Sequence, residues 1–572
     1  MKIRFGFQGW VVRKALCGML GLWLLVSVPA HASVVMKIDE AMANLLGHPA
    51  KVLNVYESRK LGLDEKSSRF HPWSGSYWPD ILGGIANHYR DHGKTGNQIL
   101  FALRYGVAKG RVRRDFRHVV ANVSNFNQEQ LDQRLSPAEK YDLLLGDLDF
   151  SFTRAILDDV DFRARHLKRS KMKDGTDQSD EDDFEGVNNN FHYADVQSSY
   201  TRFDHDVAYK YWKPRKDSLS YWFGICDGWS PASIYLPRPV RGVTVVGALG
   251  HKITFFPDDL KALGSYLFAR TNNDYMTTMN YEFAGRPCAE RGEPNQDSVG
   301  FVRDFRCNDV DAGVWHLALL NRIGIDRLGF MMDVDNNKKI NNHPMGSYEL
   351  KYFNPATGKE GDMKESIAPR FTVADGYAKR RNPKATQLLG VKSTVNFRYY
   401  QWPENNSDRT TDGPENDLSK VVTYVYDLEL DDQGNILGGE WGDRSQEGDL
   451  SSVGYADQPD FIWMTAPGLL PYSEQSVYTV MGTPIDPSNP RPFGNMKWAW
   501  DGKGPLPEDW ARAARSDAMW RDPVPGVLVE GENGAGPEVQ PPEARDSLMK
   551  SAQPLSNIVY YLFDQARTKE QK

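Results

Sequence analysis

The stretch VWHLALLNRIGIDRLGFMMD, Val314 to Asp333, decides how the second half of the chain is read. Two apolar runs flank Gly324-Ile325, which suits the central pair of a type II′ turn with glycine in the first central position. A hairpin is therefore predicted. Ile323 would pair with Asp326, and stepping outward the register brings His316 directly opposite Asp333, Cβ atoms roughly 5 Å apart on one face. A slip of one residue would send the two to opposite faces. Around this stretch lie further β-branched and aromatic runs, PVRGVTVVG, KITFF, SYELKYF and TVNFRYYQW. They are separated by Gly, Pro, Asn and Asp, the punctuation of strands. VVTYVYDLELDDQGNILGGEW predicts a second hairpin, turning at DDQGN. Between them PDDLKALGSYLFART reads as a helix opened by Pro257 and Asp258. Loops of hairpin length in place of crossovers predict an α+β core with a mainly antiparallel sheet over residues 206–471.

Outward from that core the texture changes. Residues 33–205 read mostly as a helical N-terminal region. In SPAEKYDLLLGD, Ser136 can cap, Pro137 fits the first helical position, Glu139 completes a capping box and Gly146 can end the helix. YWPDILGGIANHYRDHG reads as another short helix. Lys173 to Asn190 carries seven carboxylates and no apolar face, and reads as a solvated loop. Residues 472–572 form a Pro/Gly-rich C-terminal extension ending in a modest helix, LSNIVYYLFDQART. No internal repeat and no nucleotide-binding glycine loop is found.

The first residues bear on compartment. Lys2, Arg4, Arg13 and Lys14 precede the apolar run ALCGMLGLWLLVSVPA, which ends at AHA before Ser33. This is the pattern of a signal peptide, residues 1–32, with a small-residue cleavage site. No later run approaches the ~20 apolar residues of a membrane helix. A secreted or periplasmic protein is expected. Cleavage removes four positive charges and no negative ones, taking the net charge from −7 to −11. That balance disfavours nucleic acid as a partner.

Three cysteines remain after cleavage, Cys226, Cys288 and Cys307. Export implies oxidising conditions, so a disulfide between Cys288 and Cys307 is expected across the polar loop they bracket, worth about 3 kcal/mol. Should neither pair, Cys226 is still the odd cysteine. Such a residue is a reactive thiol, an intermolecular link or an inert core residue. A cysteine nucleophile needs a base and a group to orient it. Under the hairpin register, His316 supplies the base and Asp333 the orienting carboxylate. Gly224 and Gly228 could admit a substrate close to the backbone. Ser230-Pro231 could cap a helix, leaving Cys226 just before its positive end. Trp222, Trp229 and Trp315 could cover an acyl chain or donate to an oxyanion, or simply pack the core. DVDNN has the spacing that opens a calcium loop, with Asp333, Asp335 and Asn337 as ligands. Lys338 and Pro344, however, stand where that loop wants Gly and Glu. Calcium is thus possible but not required, and no other cofactor is implied.

With Cys, His and Asp in that order, the sequence resembles the transglutaminase elicitor family, secreted enzymes of oomycetes with bacterial relatives. The resemblance is carried by CDGWSPASI at Cys226, WHLALLNRIG at His316 and MMDVDNNKKINNHPMGSYEL around Asp333. WSGSYWPDILGGIA, SPAEKYDLLLGD, YDLELDDQGNILGGEW and PDFIW add to it. It spans roughly His71 to Trp463. It implies a cysteine-protease- or transglutaminase-like core and protein substrates carrying Gln and Lys. The implied activity is a protein-glutamine gamma-glutamyltransferase acting through a Cys226 thioester. The family's eliciting peptide, V-W-N-Q-P-V-R-G-F, has INNHPMGSY as its counterpart here. Asn341, His343, Met345, Gly346 and Ser347 depart from it, so eliciting activity is not expected. Two other readings stay open: a cysteine peptidase or amidase using the same three residues, and a non-catalytic cell-envelope binding protein in which Cys226 is inert.

Overall fold

Strands Phe330–Asp333 (β5) and Asn342–Phe353 (β6) lie inside a ten-stranded antiparallel sheet, and Cys226 is held against their shared end. The computed structural model describes residues 38–80, 83–90, 127–148, 150–156, 224–269, 282–285, 310–334, 341–373, 381–402, 408–442, 458–464, 500–518 and 555–567. The other sheet strands are β1 (Glu65–Ser67), β4 (Glu282–Gly285), β7 (Glu360–Gly361), β8 (Ile367–Pro369), β9 (Gln387–Arg398), β10 (Ser419–Leu430), β11 (Ile436–Trp441) and β12 (Phe461–Met464). Their order is β11-β10-β9-β6-β5-β12-β4, with β1 and β7 also on β6 and β8 on β9. Val243–Val246 (β2) and Lys252–Phe255 (β3) make a separate two-stranded ribbon. The described helices are α1 (Ile38–Leu46), α2 (Val55–Lys60), α3 (Gln128–Arg134), α4 (Pro137–Leu144), α5 (Cys226–Tyr235), α6 (Pro257–Ala269), α7 (Ala312–Ala318), α8 (Met363–Ser366), α9 (Glu508–Ala518) and α10 (Ser556–Ala566). The α+β class and the antiparallel sheet are as expected. No described helix is long and apolar enough to cross a membrane.

The hairpin over Val314 to Asp333 does not form. Asp311 takes an extended backbone, and its carboxylate accepts from Val314 N at 3.0 Å, starting helix α7. The helix then widens into a π-helical turn over Leu319–Ile325. Every residue of α7 is buried, so the apolar run has no polar face to betray its period. Asn321 locks the turn. Its Oδ1 accepts from the main chains of Lys51 and Val52, each at 2.9 Å, and its Nδ2 donates to Val52 O and Leu317 O. Gly324 serves close packing, since a Cβ there would sit 2.9 Å from the Tyr348 hydroxyl.

Two other local signals hold and a third fails. β10 and β11 form the second hairpin, with Asp431 Oδ1 accepting from the main chains of Gln433 and Asn435, and Gly434 in the left-handed region at φ 83°. Ser136 and Glu139 complete the capping box of α4. Among the described residues after Pro79, Gly84–Ala86 forms a 3₁₀ turn, and Gly83 and Gly84 both adopt positive φ, which interrupts α-helical geometry.

The sheet divides the core. On β5 and β12, Met332, Ile462 and Met464 pack into the cluster that holds Trp315 and Leu317 of α7. Their alternates Met331, Phe461 and Trp463 pack on Ile234 of α5. A third cluster joins Trp73 and Phe152, Trp229 and Phe268, and Trp500 and Phe563. It thereby draws on all three segments inferred from the sequence. The boundaries placed near 205 and 471 lie outside the described residues, as do the signal peptide, the acidic 173–190 segment, Cys288 and Cys307. From Ile38 onward the described residues pack as one unit.

Candidate active site at Cys226

Helix α5 begins at Cys226, with Ile225 before it in a non-helical conformation and no side chain capping the end. Pro231 therefore lies inside the helix, and Ser230 is not its cap. Close packing sets this start. A Cβ at Gly228 would come 2.1 Å from Ser265 O, and one at Gly224 2.3 Å from Tyr77 O. These two glycines make room for the protein's own backbone, on α6 and on the 72–78 loop, instead of for a substrate. The Ile225 N–H donates to Tyr77 O at 2.7 Å, seating the helix on that loop. The loop is itself tied down on several sides. Ser74 N donates to Asp417 Oδ1, Lys261 Nζ to Ser74 O, Arg398 Nε to Pro72 O and Gln401 N to Gly75 O, at 2.7 to 2.9 Å. Buried ion pairs of Arg238 and Lys261 with Asp412, and of Arg238 with Asp417, hold the anchoring groups.

Cys226 is a free, half-buried cysteine packed against the large aromatic cluster. Asn342, at the start of β6, approaches it with Nδ2 3.5 Å from Sγ. The same amide accepts from Trp463 Nε1 at 2.7 Å, and the Asn342 carbonyl accepts from Ser230 Oγ at 2.5 Å. Asp333 pairs with Asn342 across β5 and β6; its Oδ2 accepts from Asn341 N at 3.3 Å. Burial pushes the thiol up to about 11, and the Asp227 carboxylate adds to the rise. Asn342 opposes it, while Asp333 raises it further. At neutral pH the resting group is a thiol.

His316 is elsewhere. It lies on α7, fully buried, with Nδ1 2.9 Å from the Tyr426 hydroxyl of β10 and, among the described residues, no hydrogen-bond partner at Nε2. Burial alone pushes its pKa down to about 3. Asp333 shares the Met331 face of β5, which looks toward α5, whereas α7 packs on the Met332 face. The sheet thus separates His316 from Asp333, and the cross-strand pairing expected from a hairpin is lost with the hairpin.

Trp229 is buried between Gly75 and His343, with ring centroids 6.2 Å apart in the latter contact. Trp315 belongs to the α7 side, where its Nε1 donates to Ser393 Oγ at 3.1 Å. Trp222, Asp335 and Asn337 fall outside the described residues. Among the described residues no three His, Cys, Asp or Glu side chains gather as a metal site. The site's unforeseen members are Asn342 and Trp463. Both stand in quoted stretches, INNHPMGSY and PDFIW, but neither carries a local signal of chemistry.

A family model described as transglutaminase elicitor matches residues 193–481, a span that holds Cys226, Asp333, Asn342 and Trp463. Among solved structures, the crystal structure of the GP42 transglutaminase from Phytophthora sojae is similar at 19% identity, covering 76% of this chain and 92% of that one, with a TM-score of 0.40. No curated protein matches.

Proposed function

Since the chain belongs to the transglutaminase elicitor family, we propose that it is a cysteine acyltransferase that moves the acyl group of a protein glutamine to a lysine or other amine, with Cys226 as nucleophile. The observation that carries this reading is the position of Cys226. It is a free thiol at the first residue of a helix, met by the Asn342 amide. The helix N-terminus favours the thiolate that attack requires.

In the reaction, sulfur bonds to the carboxamide carbon and the carbonyl electrons move to oxygen. As they return, the C–N bond breaks, and the proton that left the thiol ends on the departing ammonia. The amine then attacks the thioester, loses a proton and frees the thiol. Asp333 is assigned as proton carrier because it pairs across β5 and β6 with Asn342, whose amide meets the sulfur. His316, across the sheet, is assigned to packing α7 against β10. No cofactor enters this chemistry. We also take the chain to be exported, on the leader-like residues 1–32.

The test is incorporation of a fluorescent amine into casein by wild type and by Cys226→Ala, each with calcium and with chelator. Incorporation by the wild type alone is expected, equal in both arms. Cys226-dependent ammonia release without incorporation would move the protein to the amidase reading. The raised thiol favours a second reading, a binding protein with an inert cysteine. Negligible iodoacetamide labelling of folded wild type, together with no turnover, would establish that instead.

A further inference from the structure

Asn342 is fixed at both ends of its peptide unit and side chain. Its carbonyl takes the Ser230 hydroxyl from α5, one helical turn beyond Cys226. Its side-chain oxygen takes the Trp463 indole N–H from β12. An indole nitrogen donates and cannot accept, so the amide has a single satisfactory orientation, with Oδ1 toward Trp463 and the NH₂ toward sulfur. Asn342, Trp463 and Ser230 are all buried, so this arrangement is not one of several loose surface rotamers. The other groups that act on the sulfur oppose its ionisation: Asp227 from its own helix and Asp333 from β5.

We propose that Asn342 is a catalytic residue of this site, donating to the Cys226 sulfur to stabilise the attacking thiolate, and that Trp463 is the positioning residue that aims its amide. A donor already pointing at sulfur gains strength when the acceptor becomes an anion. It needs no rearrangement as charge develops. This rests on the reading of Cys226 as the reactive group, but not on the identity of the acyl acceptor.

The experiment reads the thiol itself. Iodoacetamide alkylation of Cys226 would be followed from pH 7 to 10, where the thiolate fraction of a thiol titrating above that range rises tenfold per pH unit. Asn342→Ala is expected to slow alkylation about tenfold at every pH, equivalent to a rise of about one unit in thiol pKa. Trp463→Phe, which keeps the ring and frees the amide to turn, is expected to slow it about threefold. Unchanged rates in a folded Asn342→Ala protein would overturn the proposal. If Asn342→Ala does not fold, Trp463→Phe decides, and a wild-type profile there overturns it. Because no glutamine substrate is involved, slowed alkylation in a chain without amine transfer would overturn only the acyltransferase reading.

Discussion

His316 and His343 are both buried, and burial pushes each pKa down to about 3 from an ordinary 6.5. Between these values the unfolded chain binds protons that the folded chain refuses. Their contribution is therefore complete above pH 6.5 and is lost as pH falls, at up to about 1.4 kcal/mol per unit for each histidine. Asp258 runs the other way. Burial lifts it to about 6, so the folded chain holds its proton more tightly, and stability from this group is lost as pH rises from about 4 to 6. The histidines start to act at higher pH, so the His316 contribution already falls between pH 7.5 and 5, whereas Glu440, lifted by burial to about 7, works with Asp258 in the opposite sense. Replacing His316 by Gln removes one titrating group while keeping a polar side chain for Tyr426. Urea unfolding at pH 7.5 and pH 5 should show the wild type losing about 2 kcal/mol more than His316→Gln. Equal losses would mean that His316 is not held neutral by burial. The same residue illustrates how sequence can mislead. An imidazole flanked by Trp315 and Leu317 suggests a catalytic strand, whereas its burial and its Tyr426 partner become visible only in three dimensions.

At the scale of elements, the crossing of α5 and α6 has the least tolerance. Gly228 touches Ser265 O, so Gly228→Ala must push a backbone against a backbone, and we expect a loss of about 3 kcal/mol or more, seen as a lowered thermal midpoint. Alkylation of Cys226 should also accelerate as its helix lifts from the core. A melt indistinguishable from wild type would show that the two helices can part without penalty. Three local signals are legible in the sequence. The capping box at Ser136, the Pro257 helix start and the Asp431–Asn435 turn each depend on residues within five positions. Helix α7 was not, because burial on every side erases the alternation between apolar and polar that distinguishes 3.6 from 2. Cys226 stood out by being the odd cysteine. Asn342 could not, since its two side-chain partners lie 116 and 121 residues away and nothing in its neighbourhood anticipates them.

For the whole molecule, the informative element is α10. The sequence suggests a modest terminal helix after an extended linker, yet nearly all of Ser556–Ala566 is buried, among Tyr141, Gly264 and Trp500. Leu555 N donates to Tyr141 Oη at 2.7 Å, and Val240 N to Ala566 O at 3.1 Å. Phe563→Ala should cost about 3–5 kcal/mol by denaturant unfolding, far more than a docked appendage would. A loss under 1 kcal/mol would show α10 to be peripheral. Phe563 also packs on Gly264 of α6, the helix that meets Gly228 of α5. The support beneath Cys226 is therefore completed by residues more than 300 positions further along the chain. While the ribosome is still translating residue 550, the core around Cys226 lacks a wall and cannot close. The packing beneath Cys226 is thus complete only once Ala566 has been made.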